Sequence, residues 1–227
     1  MTNCVRGARA FAPLVIVALA AGCSSGPGAK RAASSAPAVS SSASADAPAT
    51  AAVQRAKSVL AAVKSYRFDA AQTITGTHPV TTREIGSVVR AQGVAYTLTV
   101  GRARTQTIRL RTATYVRALP GRWSRVRQPR PVADPTQTLA QVLDGIVDLR
   151  STAGSGVVGQ LPATVATAIG VPTTAAPVQV TLTFDVAGHV TLLLLRTTTS
   201  VHGRAIPVSL VTTYSSFDRV PALHAPA

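Results

Sequence analysis

The segment Val178–Val186 alternates without a break: Val178, Val180, Leu182, Phe184 and Val186 are apolar, and Gln179, Thr181, Thr183 and Asp185 are polar. Successive strand side chains point to opposite faces, so this pattern demands a strand with one buried and one wetted face. Two further strand-like runs follow, Val190–Thr199 and Ile206–Phe217, reached through the turns Ala187-Gly188 and His202-Gly203. Hairpins in succession build an antiparallel sheet, and one face of it needs an apolar cover.

The chain supplies that cover as two amphipathic helices. Ala51–Ser65 puts Val53, Ala56, Leu60 and Val63 on one helical face. Asp134-Pro135 offers an N-cap followed by proline at the first helical position, and Leu139, Val142, Leu143, Ile146 and Val147 then form a stripe. Between the helices, Tyr66–Gly76 alternates, and further strands are expected over 81–91, 93–101, 105–111 and 114–118. Leu119-Pro120-Gly121 turns the chain into a strand carrying Trp123. Residues 151–160 read as another strand and 162–170 as a short helix. The 227 residues suit one domain with appendages.

Little here supports an enzyme. Both cysteines, Cys4 and Cys23, lie in the first 23 residues, so the body holds neither a disulfide framework nor a cysteine zinc site. Glutamate occurs once, at Glu84, which leaves little for paired-carboxylate chemistry. His78, His189, His202 and His224 fall in separate turns or the tail, without metal-ligand spacing. Gly154–Gly159 matches G-x-G-x-x-G literally, but it lacks the preceding strand and following helix of a dinucleotide site; a Gly-rich edge strand or loop is expected. No nucleophile elbow is present. The expectation is a non-enzymatic protein without cofactor or metal.

The N-terminus points to export. Residues 1–10 carry Arg6 and Arg9 and no acid, and AFAPLVIVALAAG then runs to Cys23. Leu19-Ala20-Ala21-Gly22-Cys23 resembles a bacterial lipobox. That resemblance implies cleavage before Cys23, diacylation of its thiol, and a protein anchored on the extracytoplasmic face of the plasma membrane. Two or three acyl chains hold firmly, at about 0.8 kcal/mol per buried methylene. Residues 24–50 are Ser, Ala, Pro and Gly with little to bury, a tether spanning about 30 Å as a coil. The expected division is a signal peptide over 1–22, the acylated cysteine and tether over 23–50, and one domain over 51–227.

Beyond the leader, 21 Lys+Arg face 8 Asp+Glu. No acid stands between Glu84 and Asp134, while ten arginines do. Three sets are two apart, Arg102/Arg104, Arg109/Arg111 and Arg125/Arg127, which on strands places each pair on one face, with Ile108 and Val126 turned away. An arginine-covered outer sheet face is therefore expected. The export signal argues against nucleic acid, and anionic headgroups or acidic envelope polymers are the natural counter-charges. The excess of 20 Arg over 3 Lys is also what a GC-rich genome would produce. Trp123 shares strand parity with Arg125 and Arg127, as an interfacial anchor or a core residue.

The order of these parts, with TYVRALPGRWSRV (114–126), DPTQTLAQVLDG (134–145), VQVTLTFDVAGHVTLLLLR (178–196) and SLVTTYSSFDRV (209–220), resembles LolA-like actinobacterial lipoproteins of the LppX/LprG type. The resemblance implies an α+β fold: a strongly curved antiparallel half-barrel wrapped over helices, single domain, with an apolar cavity for lipid acyl chains. Its lining candidates are Leu139, Val142, Leu143, Ile146, Val180, Leu182, Phe184, Leu192, Leu194, Val208 and Leu210. Headgroup contacts would come from Arg102, Arg104, Arg109, Arg111, Arg125 and Arg127. A filled core and a ligand-filled cavity use the same residue types, so periodicity leaves both open. The first reading is a monomeric carrier or chaperone for a lipid or lipoglycan. The alternative is a scaffolding lipoprotein with a filled core and a basic polymer- or protein-binding face.

Overall fold

The computed structural model describes residues 46–76, 79–127, 135–172, 176–201 and 203–226. The export signal, Cys23, the tether to residue 45, Asp134, His78 and His202 lie outside the described residues. Among those described, eleven strands form one open, curved antiparallel sheet built from two meanders. The first runs through β1 (Ser65–Ile74), β2 (Val80–Val89), β3 (Gly93–Val100), β4 (Ala103–Leu110), β5 (Thr114–Leu119) and β6 (Ser124–Val126). The second runs through β7 (Val147–Ser151), β8 (Gly156–Leu161), β9 (Val178–Phe184), β10 (Val190–Val201) and β11 (Arg204–Ser215). The first and last strands join them: β1 pairs β11 from Arg67↔Ser215 to Ile74↔Val208.

This order makes β6 and β7 the two sheet edges. The chain between them must cross the sheet's width, and helix α2 (Pro135–Gly145) lies on that crossing. Helices α1 (Ala47–Ala62) and α3 (Ala163–Ala168) complete the cover. On the inner face, β1 contributes Tyr66, Phe68 and Ala70, and pairing carries the same face to Val88, Gly86 and Glu84 on β2 and to Val94, Tyr96 and Leu98 on β3. In the other direction it passes through Tyr214, Thr212 and Leu210 to Leu193 and Leu195, then to Leu182 and Val180. These apolar residues join Ala49, Val53, Ala56 and Leu60 of α1 and Leu139, Val142 and Leu143 of α2 in one cluster.

Several boundaries differ from expectation. Helix α1 starts at Ala47, inside the stretch expected to be tether, because Pro48 suits a first helical turn and Asp46 is tied to the β7 edge. The Asp46 carboxylate accepts the Ser151 amide at 2.8 Å, which holds its pKa below the usual carboxylate range. The expected strand over 151–160 is two strands, with Gly154 at φ +83° in the turn between them. The Gly-rich motif thus spans a hairpin turn and β8, an interior strand rather than an edge. Val147 has left the helical stripe for β7 and is 46% exposed, and Val186 sits in a turn at 97% exposure.

One correction changes the inner wall. Val190 pairs Phe184, but Leu192 pairs Thr183, so Thr191 is an extra residue and β10 carries a bulge. The side-chain alternation shifts there by one. Leu193 and Leu195, each 1% exposed, face the helices. Leu192 and Leu194 stand on the outer face beside Thr183 and Thr181 and are not lining residues.

Gly86 shows how tightly the inner wall is drawn. A Cβ built there would run first into the Ala95 carbonyl oxygen and would stand 2.6 Å from Tyr96 Cβ and 2.8 Å from the Phe68 ring, so the paired backbone and the ring leave no room for a side chain.

Candidate functional site

The apolar interior is the first candidate. Leu139, Val142 and Leu143 are at most 3% exposed, and Ile146, Val180, Leu182, Phe184, Val208 and Leu210 are also buried. Except for Val208, all belong to the one cluster that includes the inner sheet face and α1. Helix α2 meets this face through side chains without charge. Its one hydrogen bond to the sheet with a stated length runs between Thr136 Oγ1 and Tyr66 Oη, 2.8 Å apart and buried. Helices α2 and α3 are themselves close: a Cβ on Gly145 would lie 2.9 Å from Val165 Cγ1. A shallow concavity of about 390 Å³ opens between them, lined by Gln141, Asp144, Thr164, Val165 and Ala168.

The arginines do not share the single outer face expected of them. Strand β4 begins only at Ala103, so Arg102 belongs to the Gly101-Arg102 turn, and Arg111 lies beyond the strand's other end. Within β4, Thr107 and Arg109 pair with Tyr96 and Val94 and therefore face inward, whereas Arg104 and Ile108 face outward. Arg104 and Arg109 are also about 17 Å apart along the strand, at 3.3–3.4 Å per residue. The six residues thus separate into two groups.

Four of them stand at one corner of the sheet. Arg109, Arg111, Arg125 and Arg127 line a concavity of about 680 Å³ with Leu110, Thr112, Ala113, Thr114 and Val126, and none of the described residues that line it is acidic. Arg109 on β4 pairs Thr114 on β5, which pairs Val126 on β6, all on the inner face, whereas Arg125 pairs Tyr115 and stands on the outer face. The turn is set by Leu110 N–H donating to Ala113 O at 2.8 Å and Arg111 N–H to Gln92 O at 3.1 Å. Thr114 is 7% exposed, and its Oγ1 has no hydrogen-bond partner among the described residues. Trp123 is half-buried, and the Arg117 guanidinium lies 4.6 Å from its ring centre. Arg117 also donates through Nε to Gln106 Oε1 at 2.6 Å.

Glu84 stands apart from every other acid. It faces inward on β2 between Ala70 and Leu98 and is 8% exposed. Burial pushes its carboxyl up to about 7. Tyr96 and Arg109 lie on the same face; burial raises the Tyr96 phenol, which Arg109 and a hydrogen bond to Thr107 partly offset.

Sequence reasoning passed over Glu84, Thr114, Leu193 and Leu195. The parity of Glu84 with Val88 on β2 was the signal for the first. The bulge that exchanged the leucines leaves no mark in the hydrophobic pattern.

No protein-family model matches the chain, and no curated protein does. Among solved structures it is similar to LprF from Mycobacterium bovis, at 13% identity and a TM-score of 0.52, over 81% of this chain and 99% of that one. It is also similar to the lipoprotein LppX of Mycobacterium tuberculosis, at 12% identity and a TM-score of 0.46, over 79% of this chain and 100% of that one. A LolA superfamily protein from Nitrosomonas europaea matches at 11% identity and a TM-score of 0.21, over 77% and 94%. The first of these likenesses carries the architecture. The chain has the fold of LprF, a curved antiparallel sheet wrapped over helices.

Proposed function

We propose that this is a cell-envelope lipoprotein, held by acyl chains on Cys23 to the extracytoplasmic face of the plasma membrane. It takes the acyl chains of a lipid or lipoglycan between α2 and the inner sheet face, as a carrier or chaperone and not as an enzyme. One observation supports this most: the element that crosses the sheet is attached to it chiefly by uncharged, apolar side chains. Acyl chains can replace such contacts without leaving buried polar groups unpaired, and removing them from water contributes about 25 cal/mol per Å². The proposed lining is Leu139, Val142, Leu143, Ile146, Val180, Leu182, Phe184, Val208 and Leu210, with Leu193 and Leu195 added. Arginines at the sheet's corner pair with an anionic headgroup.

The near-complete burial of Leu143, Val180 and Leu182 favours a second reading, a scaffolding lipoprotein whose core is filled and whose basic surface binds an envelope polymer or protein. Mass spectrometry of an organic extract decides between them. The chain carrying Cys23→Ser is purified from a native-like host and extracted. One or two lipid classes near stoichiometry support the carrier. A clean extract, with no uptake of added lipid, leaves the scaffold.

A further inference from the structure

At its β6 end, the outer face of the sheet carries a patch that lies outside the apolar interior. Pairing fixes its members. Ile108 on β4 pairs Tyr115 on β5, which pairs Arg125 on β6. Further along the same strands, Gln106 pairs Arg117 and Arg104 pairs Leu119. Partners in a ladder share a face, so these side chains stand together on the side away from the helices. Trp123 joins them, because the Arg117 guanidinium lies 4.6 Å from its ring centre. Arg104 and Arg125 are exposed, and Ile108, Tyr115 and Trp123 are half-buried.

Charge on this patch has one sign. Residues 101–127 contain neither Asp nor Glu. Of the two acids between Ser65 and Val126, Glu84 faces inward, and Asp69 stands three strands away on β1, where its carboxylate accepts Arg83 Nε at 2.9 Å. The patch is also amphipathic. Tryptophan and tyrosine rings settle at the level of lipid headgroups, with an apolar body and a polar tip, and arginines are drawn to anionic lipid. An acidic polymer would call for the charge but not for the apolar component. A second copy of the chain would set arginine against arginine.

We infer that the outer face of β4–β6 docks onto an anionic bilayer surface, with Trp123 and Tyr115 seated among the headgroups and Arg104, Arg117 and Arg125 on their phosphates. The docking requires neither an acyl-chain cargo nor an acylated Cys23, so it goes beyond the carrier reading.

Trp123 is the one tryptophan of the chain, so tryptophan fluorescence reports on this patch alone. The full chain is reconstituted from neutral detergent into phosphatidylcholine vesicles with or without phosphatidylglycerol, both carrying bromine-labelled phosphatidylcholine as quencher. Trp123 emission is expected to shift to the blue and to be quenched several-fold more on the anionic vesicles. The difference should vanish at about 1 M salt, where the screening length falls to about 3 Å. Arg104→Gln with Arg125→Gln should reduce it several-fold. Lys57→Gln with Lys64→Gln removes the same charge from α1 and the residue beyond its end, and should leave it unchanged. Equal quenching on both kinds of vesicle, or equal loss in the two double variants, overturns the docking face. An unquenched Trp123 on anionic vesicles, with salt-sensitive binding of soluble polyglutamate, overturns it in favour of an acidic polymer. Lipid in the organic extract bears on the carrier reading alone, since that cargo would lie on the other side of the sheet.

Discussion

The hydroxyls of Tyr66 and Thr136 are 2.8 Å apart inside the protein, although 70 residues separate them in the chain. Tyr66 opens the inner face of β1, 1% exposed and edge-on to Tyr214 with ring centres 5.8 Å apart. Thr136 is in the first turn of α2. The pair pins the start of the crossing helix to the strand at which the two meanders meet, and Leu139, Val142 and Leu143 of α2 join the apolar cluster with the inner sheet face.

Removing that pin should loosen α2 without opening the core. Tyr66→Phe is expected to cost about 1 kcal/mol, the usual net worth of such a bond. Thermal denaturation reads the loss, and uptake of a fluorescent fatty acid should become faster. An unchanged melting temperature and uptake rate would show that the hydroxyl pair does not hold the helix.

The bulge in β10 makes a paired prediction. Leu193→Ala empties a site 1% exposed and should cost about 2–5 kcal/mol. Leu192→Ala, on the outer face and partly exposed, should cost under about 1 kcal/mol. Urea denaturation of the two variants checks the register, since the reverse order would mean that the alternation runs unbroken from Val190.

Glu84 ties stability to pH. Its folded pKa of about 7 lies above the ordinary 4.5, so the folded state holds the proton more tightly than the unfolded chain. Below about pH 4.5 both states are protonated and this group costs nothing. From about pH 4.5 to about 7 the unfolded chain ionises while the buried carboxyl keeps its proton, and about 3 kcal/mol of stability is lost, with no further loss above pH 7. Glu84→Gln should remove that dependence, leaving the variant the more stable of the two at pH 8. Denaturant midpoints across pH 5–8 would contradict this if the two proteins kept the same difference throughout.

Leu143→Trp is aimed at the acyl-chain reading. Leu143 is 1% exposed on the face of α2 that meets the sheet, and an indole there takes room that a chain would need. Overpacking should cost about 1–3 kcal/mol while the domain stays folded by circular dichroism. Lipid in the organic extract should fall to background, and undiminished lipid would place the chains elsewhere.

Much of this architecture is legible from local pattern. The alternation of Val178 to Phe184 defines β9, the spacing of Leu139, Val142 and Leu143 defines the buried stripe of α2, and Val53, Ala56 and Leu60 do the same for α1. The arginines were harder to place. Residues two apart share a face only within one strand, and all three sets run past a strand's end: Arg102 precedes β4, Arg111 follows it, and Arg127 follows β6.

By itself, the sequence determined which side chains must leave water and which neighbouring segments pair, because periodicity and hairpin turns act over a few residues. Only the tertiary structure decided the pairing of β1 with β11, the passage of α2 across the sheet, the division of the arginines between the two sheet faces and the burial of Glu84. Those depend on register between distant strands, where a single extra residue such as Thr191 turns every following side chain to the other face.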